Sequence, residues 1–392
     1  MESGKLFKSL ITNNFIAICC LFLPGLNFAQ TRSTDSTDLT FSGTKINPYR
    51  LEYDSSGKVI FSGYLDTYYA SYHDSAGSGG FSKFPTIAPR NKQFGLNIVQ
   101  VSARYSSDNF RGTVTLFGGD CPQSSWSPYL NFVQEANAGF RIMKNLWFDA
   151  GFFRTHIGLE SIQPRENMSM SLATTTYFEP YFMSGAKLTW QHSEKLAIQV
   201  NVFNSFNQFI ETNRNKALGF SISYNPNNKS SLTFSSINSD ESPDSARVKK
   251  ARSYNNLCYT LKSHKWLLGM EGNFGFQTNT TLSEKNHTAM MFSALVAGKY
   301  RTSHKWATYG RCEVYSDPDE ILTGPLSNKD HALVGLDLLG FTHGWEYKPI
   351  PNSYFRIEGR YLQTRKSETI FYFNNSYRNF RTEIILGLGI WF

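Results

Sequence analysis

The feature that most constrains this chain is a hydrophobic period of two, kept up in segments of about ten residues from Val59 onward. Period two sends successive side chains to opposite faces of a strand. Ten-residue segments of this kind, repeated between turn signals, are the pattern of strands that cross a membrane. Sixteen can be counted. The first eight are Val59 to His73, Phe94 to Ser106, Phe110 to Gly119, Asn131 to Ile142, Leu146 to Ile157, Phe182 to Gln191, Leu196 to Asn204 and Ala217 to Asn225. The second eight are Ser230 to Asn238, Arg252 to Lys262, Trp266 to Gln277, Thr288 to Arg301, Trp306 to Tyr315, Ala332 to Lys348, Ser353 to Gln363 and Asn379 to Phe392.

The connections alternate between short and long. The short ones are SSDN after Tyr105, MKN after Ile142, HSEK after Gln191, PNNK after Asn225, SHK after Lys262, TSHK after Arg301 and PIPN after Lys348. They carry the Asn, Pro, Ser and Lys that tight turns favour. Between them lie longer excursions such as residues 74 to 93, 120 to 130, 158 to 181 and 364 to 378. A soluble sandwich has no reason to sort its loops by parity, whereas an outer-membrane barrel has short periplasmic turns and long extracellular loops. The expectation is an all-β, transmembrane, antiparallel β-barrel of about 16 strands, 14 to 18 allowing for weakly alternating segments.

The two faces agree. Ile384, Leu386, Leu388, Ile390 and Phe392 share one face of the last segment, which would meet lipid. Arg356, Glu358 and Arg360 lie opposite Phe355, Ile357 and Tyr361, while Arg311 and Glu313 lie opposite Cys312 and Val314. Glu271 lies opposite Met270 in the same way. A charge facing lipid at mid-depth costs roughly 2 to 4 kcal/mol, so the charged face is expected inside. Alternation also explains why 15% aromatic residues coexist with a mean hydropathy of -0.37. That mean excludes a bundle of membrane helices, each of which needs about 20 nearly uninterrupted apolar residues.

At the N-terminus, Lys5 and Lys8 precede the apolar run Phe15 to Leu23, which breaks at Pro24-Gly25. This reads as a cleaved export signal over residues 1–29, with a membrane anchor or a lipidated Cys19 or Cys20 as alternatives. Residues 30–58 are polar and aperiodic, the expected flexible periplasmic segment before a barrel over 59–392. Cys121, Cys258 and Cys312 are odd in number and far apart, so at least one free thiol is expected and no zinc site. The final Phe392, closing an amphipathic strand, has the form of a signal to barrel-assembly machinery.

The stretch NFVQEANAGFRIMKNLWFDAGFFRTHIGLES at residues 131–161, followed after a polar loop by YFEPYFMSGAKLTW, resembles the OmpL-like beta-barrel porins of Gram-negative outer membranes. GYLDTYYASY at Gly63 to Tyr72 and VSARYSSDNFRGTVTLFGG at Val101 to Gly119 support the resemblance. It covers most of residues 60 to 240 and thins to barrel periodicity beyond. It implies a pore-forming barrel in contact with outer-membrane lipids, with no solute preference carried over.

Candidate pore residues follow from parity. Asp66, Arg104, Glu135, Arg141 and Asp149 fall on inward faces, and His156 and Glu160 at the mouth of the longest loop, Gly158 to Tyr181. If that loop folds inward as a constriction, Glu160, Arg165 and Glu166 would face wall charges among Arg104, Arg141, Arg311, Arg356 and Arg360. Opposed charges would set up a transverse field that favours small polar solutes and ions. The alternative use of the same residues is mutual pairing that braces the strands. Two other functions compete with passive diffusion: a loop-plugged structural or adhesive barrel without conductance, and a barrel hydrolase.

The hydrolase reading has little to stand on. His73-Asp74-Ser75 are consecutive and cannot converge, and no G-x-S-x-G or H-E-x-x-H occurs. His156 and Glu160 have helical spacing on what reads as strand and loop. No cofactor is implied. The net charge of +8 becomes +7 without Glu2, Lys5 and Lys8, and favours anions only if the excess lies in the lumen. Lys144, Lys195, Lys229, Lys265 and Lys305 sit in the short turns instead. The basic residues form no stripe with aromatics, so nucleic acid is not an expected partner. A homo-oligomer is compatible with a barrel of this size, although no subunit contact is legible.

Overall fold

The computed structural model describes residues 56–392 except 76, 78, 79, 208, 212, 283–286, 325, 366 and 367. The expected export signal and nearly all of the expected flexible segment lie outside the described residues. Each of the sixteen alternating segments contributes a strand to one closed antiparallel barrel. In chain order these begin with β1 (Ser56–Tyr72), β2 (Gln93–Ser107), β3 (Phe110–Gly118), β4 (Val133–Met143), β5 (Leu146–Arg154), β6 (Phe182–Gln191), β7 (Leu196–Phe203) and β8 (Ala217–Asn227). They continue with β9 (Ser230–Asp240), β10 (Ala251–Lys262), β11 (Trp266–Gln277), β12 (Ala289–Arg301) and β13 (Trp306–Asp317). The short pair β14 (Leu326–Ser327) and β15 (Leu333–Val334) comes next, then β16 (Leu336–Tyr347) and β17 (Ser353–Thr364). A second short pair, β18 (Phe371–Phe373) and β19 (Ser376–Arg378), precedes the last barrel strand, β20 (Phe380–Trp391).

The barrel closes where β1 pairs with β20, from Tyr64 opposite Trp391 to Tyr72 opposite Glu383. Past the ladder, Gly63 and Phe392 exchange two backbone hydrogen bonds of 3.1 Å. Glycine leaves room there for the Phe392 ring, which a Cβ at position 63 would approach to 2.4 Å and displace. The ring itself is 81% exposed, on the outside.

The long alternating segment Ala332 to Lys348 is not one strand. Leu333 and Val334 turn back to pair with Leu326 and Ser327, and the barrel strand begins only at Leu336. The break falls at Gly335, where a Cβ would lie 2.3 Å from the Pro318 backbone. Alternation runs through such a crossing without registering it. The segment expected from Asn131 likewise starts at Val133, and β1 starts at Ser56, inside the stretch expected to be flexible.

Exposure sorts by parity, as expected for a barrel in lipid. Ile384, Leu388 and Ile390 are exposed on β20 while Arg381, Glu383 and Ile385 are buried. Trp190, Trp266, Trp306 and Trp345 stand exposed near the short-turn ends of their strands. Trp266 packs at a tilt on Tyr300 at 4.5 Å, and Trp306 on Tyr347 at 4.7 Å. Such a girdle fits the polar boundary of a bilayer. Cys121, Cys258 and Cys312 are not joined in disulfides.

Candidate functional site: the loop held inside the barrel

From the end of β5 the chain turns into the barrel and returns to the wall at Phe182. Within this excursion lie a single turn of 3-10 helix, Pro164–Glu166, and the five-residue helix Thr174–Phe178. Met170, Ser171, Leu172, Ala173 and Thr174 are wholly buried, although they sit in a loop. A buried loop must find partners for its backbone polar groups, and here the wall supplies them as charged side chains. The Glu358 carboxylate accepts the backbone N–H of Met170 at 2.6 Å and of Ser171 at 3.0 Å. Glu271 accepts Leu159 N–H at 2.9 Å, and Glu313 accepts Thr174 N–H.

The wall arginines bind the other half of the loop's polar groups. Arg311 donates from Nη1 to Glu160 Oε1 at 2.8 Å, Ser169 Oγ at 2.8 Å and the Ser171 carbonyl at 2.7 Å. Its Nη2 donates to Ser171 Oγ at 3.0 Å. Arg356 donates to the carbonyls of Pro164 at 2.8 Å, Ser169 at 2.7 Å and Asn167 at 3.1 Å. Arg360 bridges Glu313 at 2.8 Å and Thr174 Oγ1 at 3.2 Å. These side chains alternate along β11, β13 and β17, so strand geometry aims them at one buried segment.

Glu160 also accepts the Ala173 N–H at 2.6 Å, folding the loop back on itself. Burial pushes its carboxyl above the usual range, and the Arg311 guanidinium only partly offsets this. Glu166 goes the other way. Burial would raise it, but the paired Arg154, whose Nη1 is 2.9 Å from Glu166 Oε1, holds it down to about 2. Glu179 accepts the Tyr254 hydroxyl at 2.8 Å and anchors the return of the loop. Gly158 starts the loop with φ of 87°, in the left-handed region that favours glycine.

The candidate charges therefore divide. Glu160, Glu271, Arg311, Glu313, Arg356, Glu358 and Arg360 are brought together around the loop, and Arg165 and Glu166 lie on it. Arg165 stacks over Tyr64 at 4.7 Å. The others stand apart. Asp66 accepts Asn97 at 2.6 Å and the Tyr354 hydroxyl at 3.0 Å, and Asp149 pairs with Arg111. Arg141 lies 5.2 Å over Trp147, Glu135 accepts Asn137 at 3.5 Å, and Arg104 is exposed near the turn after β2. His156 meets the Ser236 carbonyl at 3.2 Å, while Glu160 is engaged by Arg311. His73 is taken up by Thr382 and lies 4.7 Å from the Phe373 ring, tilted against it.

Expectation missed Arg154, Glu179, Lys299 and Glu346. The last two bond at 2.7 Å in the wall and share the inward parity of their neighbours, so the same rule could have found them. Two small clefts border the start of the loop. One is bordered by His156, Leu159, Ser231, Asn256 and Thr260, the other by Trp126, Gln134, Arg154, Glu160 and Tyr181, and both are narrow, with room for little more than ordered water.

The family model described as "Putative beta-barrel porin-2, OmpL-like" matches residues 58–392. The chain belongs to this family. It is a porin-like barrel of the outer membrane. Solved structures of low identity share the fold. The anion-selective porin from Comamonas acidovorans is 8% identical with a TM-score of 0.57, covering 86% of this chain and 99% of its own. OmpF of Salmonella typhi is 12% identical with a TM-score of 0.55, covering 87% and 99%. The channel DcaP of Acinetobacter baumannii is 10% identical with a TM-score of 0.55, covering 86% and 99%. No curated protein matches the sequence.

The long loops of this OmpL-like chain also meet over the mouth. Phe371 of β18 packs 5.2 Å from Phe84, and Tyr372 N–H donates to Asp74 at 3.3 Å. Nearby, Glu368 accepts the Asp337 N–H at 3.0 Å, and burial pushes the Glu368 carboxyl up to about 7. A carboxyl raised in the folded state binds its proton more tightly there than in the open loop. Its contribution is then full below about 4.5, near the ordinary glutamate value, and is lost as pH rises through about 7. The protection factor of the Asp337 amide against hydrogen exchange should fall between pH 5 and 8. A flat protection factor would contradict this.

Proposed function

We propose that the barrel lets small polar solutes and ions diffuse passively across the outer membrane, with loop 158–181 as the constriction. The observation that carries this is the loop's position: Arg311 and Arg356 hold it within the barrel, where it narrows the lumen. The expected transverse field takes a different form here. Loop acids and wall arginines touch directly, so the pairs brace the loop and the solute path runs beside it. Residues 1–29 would serve as the export signal, and the exposed ring of Phe392 would be open to barrel-assembly machinery.

One observation favours the plugged reading. Inward apolar side chains of the long-loop half, among them Phe153, Phe203, Tyr254, Tyr315 and Leu338, join Phe84 and Phe371 in one buried cluster. That layer would obstruct the mouth unless the loops part. Swelling of liposomes that carry the refolded protein decides between the two. The diffusion reading expects swelling in monosaccharides that declines with solute size; none in any solute would favour the plug.

A further inference from the structure

The inward charges below the loop are not balanced. On one side of the lumen, Arg104, Arg111, Arg141 and Lys187 share their surroundings with Asp149 and Glu135 on strands β2 to β6. Arg111 pairs with Asp149, and Lys187 stands directly opposite it in the β5–β6 register. Arg111 and Arg141 both stack on Trp147, at 4.4 and 5.2 Å. On the other side, Lys299, Arg301, Lys348 and Arg356 surround Glu346, with Asp66 further up β1. Glu346 receives Lys299 at 2.7 Å, Arg356 at 2.8 Å and Lys348 at 4.0 Å. Eight cations thus face four carboxylates. The two groups oppose each other: β4, which carries Arg141, and β12, which carries Lys299 and Arg301, are half a circuit apart in the ring of sixteen strands.

Exposure widens the imbalance. Asp66, Asp149 and Glu346 are buried, as are Lys299 and Arg356, while Glu135 keeps part of its surface. Arg104 is exposed, and Arg111, Arg141, Lys187, Arg301 and Lys348 keep part of their surface. Water on the periplasmic side of the loop therefore meets more of the cations than of the acids that pair with them. The acids at loop level, Glu271, Glu313 and Glu358, are buried too, with their oxygens on loop N–H groups.

We propose that this basic vestibule makes the channel prefer anions, so that its natural solutes carry carboxylate or phosphate groups. The proposal rests on the diffusion reading. Opposed basic walls with low-dielectric surroundings concentrate anions and repel cations, and rings of Arg and Lys select for anions in the same way. The answer to where the net positive charge lies is, in part, inside. Field effects of this kind are screened over about 10 Å at 0.1 M salt and reach roughly 30 Å at 0.01 M, so the preference should grow as salt is lowered.

The test is the reversal potential of the refolded full barrel in potassium chloride gradients. The unaltered protein should be chloride-selective, more strongly at low salt. The double variant Arg104→Glu, Lys348→Glu alters the two groups where they are most open, and should lower the chloride-to-potassium permeability ratio several-fold. Lys329→Glu, an exposed change on the long-loop side, should leave it within error. Conduction with no preference or with cation preference overturns the vestibule assignment and leaves the diffusion reading intact; no conduction overturns both. If the double variant fails to refold, the salt dependence of the unaltered protein still decides.

Discussion

Replacing Arg311 by alanine should release the loop from the wall and raise single-channel conductance several-fold, while the barrel stays folded. Arg311 makes contact with Glu160, Ser169, Ser171 and Thr342, and it is 2% exposed. Removing one partner of a buried ion pair costs about 3 to 5 kcal/mol, because the other charge stays buried without compensation. Here Glu160 is in the loop, so moving the loop into water relieves that cost. The strand ladders do not depend on it. Glu160→Gln should act in the same direction and less strongly, since a neutral amide still offers an acceptor to Arg311. The double variant should then differ little from Arg311→Ala alone, the mark of coupled sites. Unchanged conductance in all three would place the loop outside the solute path.

The second large effect concerns the wall. Gly185 in β6 stands opposite Gly151 in β5 on one side and Phe203 in β7 on the other. A Cβ at 185 would lie 2.1 Å from the Val202 carbonyl oxygen and 2.9 Å from Phe203 Cα, both backbone atoms that cannot step aside. Gly151 adopts φ of 129°, and a Cβ there would lie 2.3 Å from the Ala136 carbonyl. Gly185→Val should therefore open the β6–β7 ladder at a cost above about 4 kcal/mol. The expected result is loss of the compact, heat-modifiable form of the barrel in unheated gels. Gly272→Ala and Gly359→Ala, where a Cβ meets nothing within 4 Å, should leave that form unchanged.

The strand pattern was legible because one physical rule governs it over the whole chain. Lipid on one side and polar groups on the other force period two, and Arg311, Glu313, Arg356 and Glu358 all point inward as parity requires. What parity cannot supply is the partner. Glu160 and Arg311 are separated by 151 positions, and their contact depends on which way a loop of some twenty residues folds. The sequence therefore permitted a field across water and direct bracing equally. Arg104 shows the same limit from the other side, an inward-facing charge that the loop does not reach. Gly335 shows a different one: a glycine required by contact with the Pro318 backbone interrupts a pattern that continues unbroken on either side. The unequal burial of Asp149 against Arg111, and of Glu346 against Lys348, likewise arises from packing, which composition and net charge do not encode.

Passage of ions through the barrel with its loop in place is what separates a channel from a plugged barrel. The direct measurement is current through planar bilayers after adding the refolded chain, stripped of residues 1–29, at fixed voltage. The account predicts discrete upward steps of uniform size, each one barrel entering the membrane. A protein that inserts, shown by its heat-modifiable form in the recovered bilayer lipid, and yet yields no steps at any voltage would contradict it.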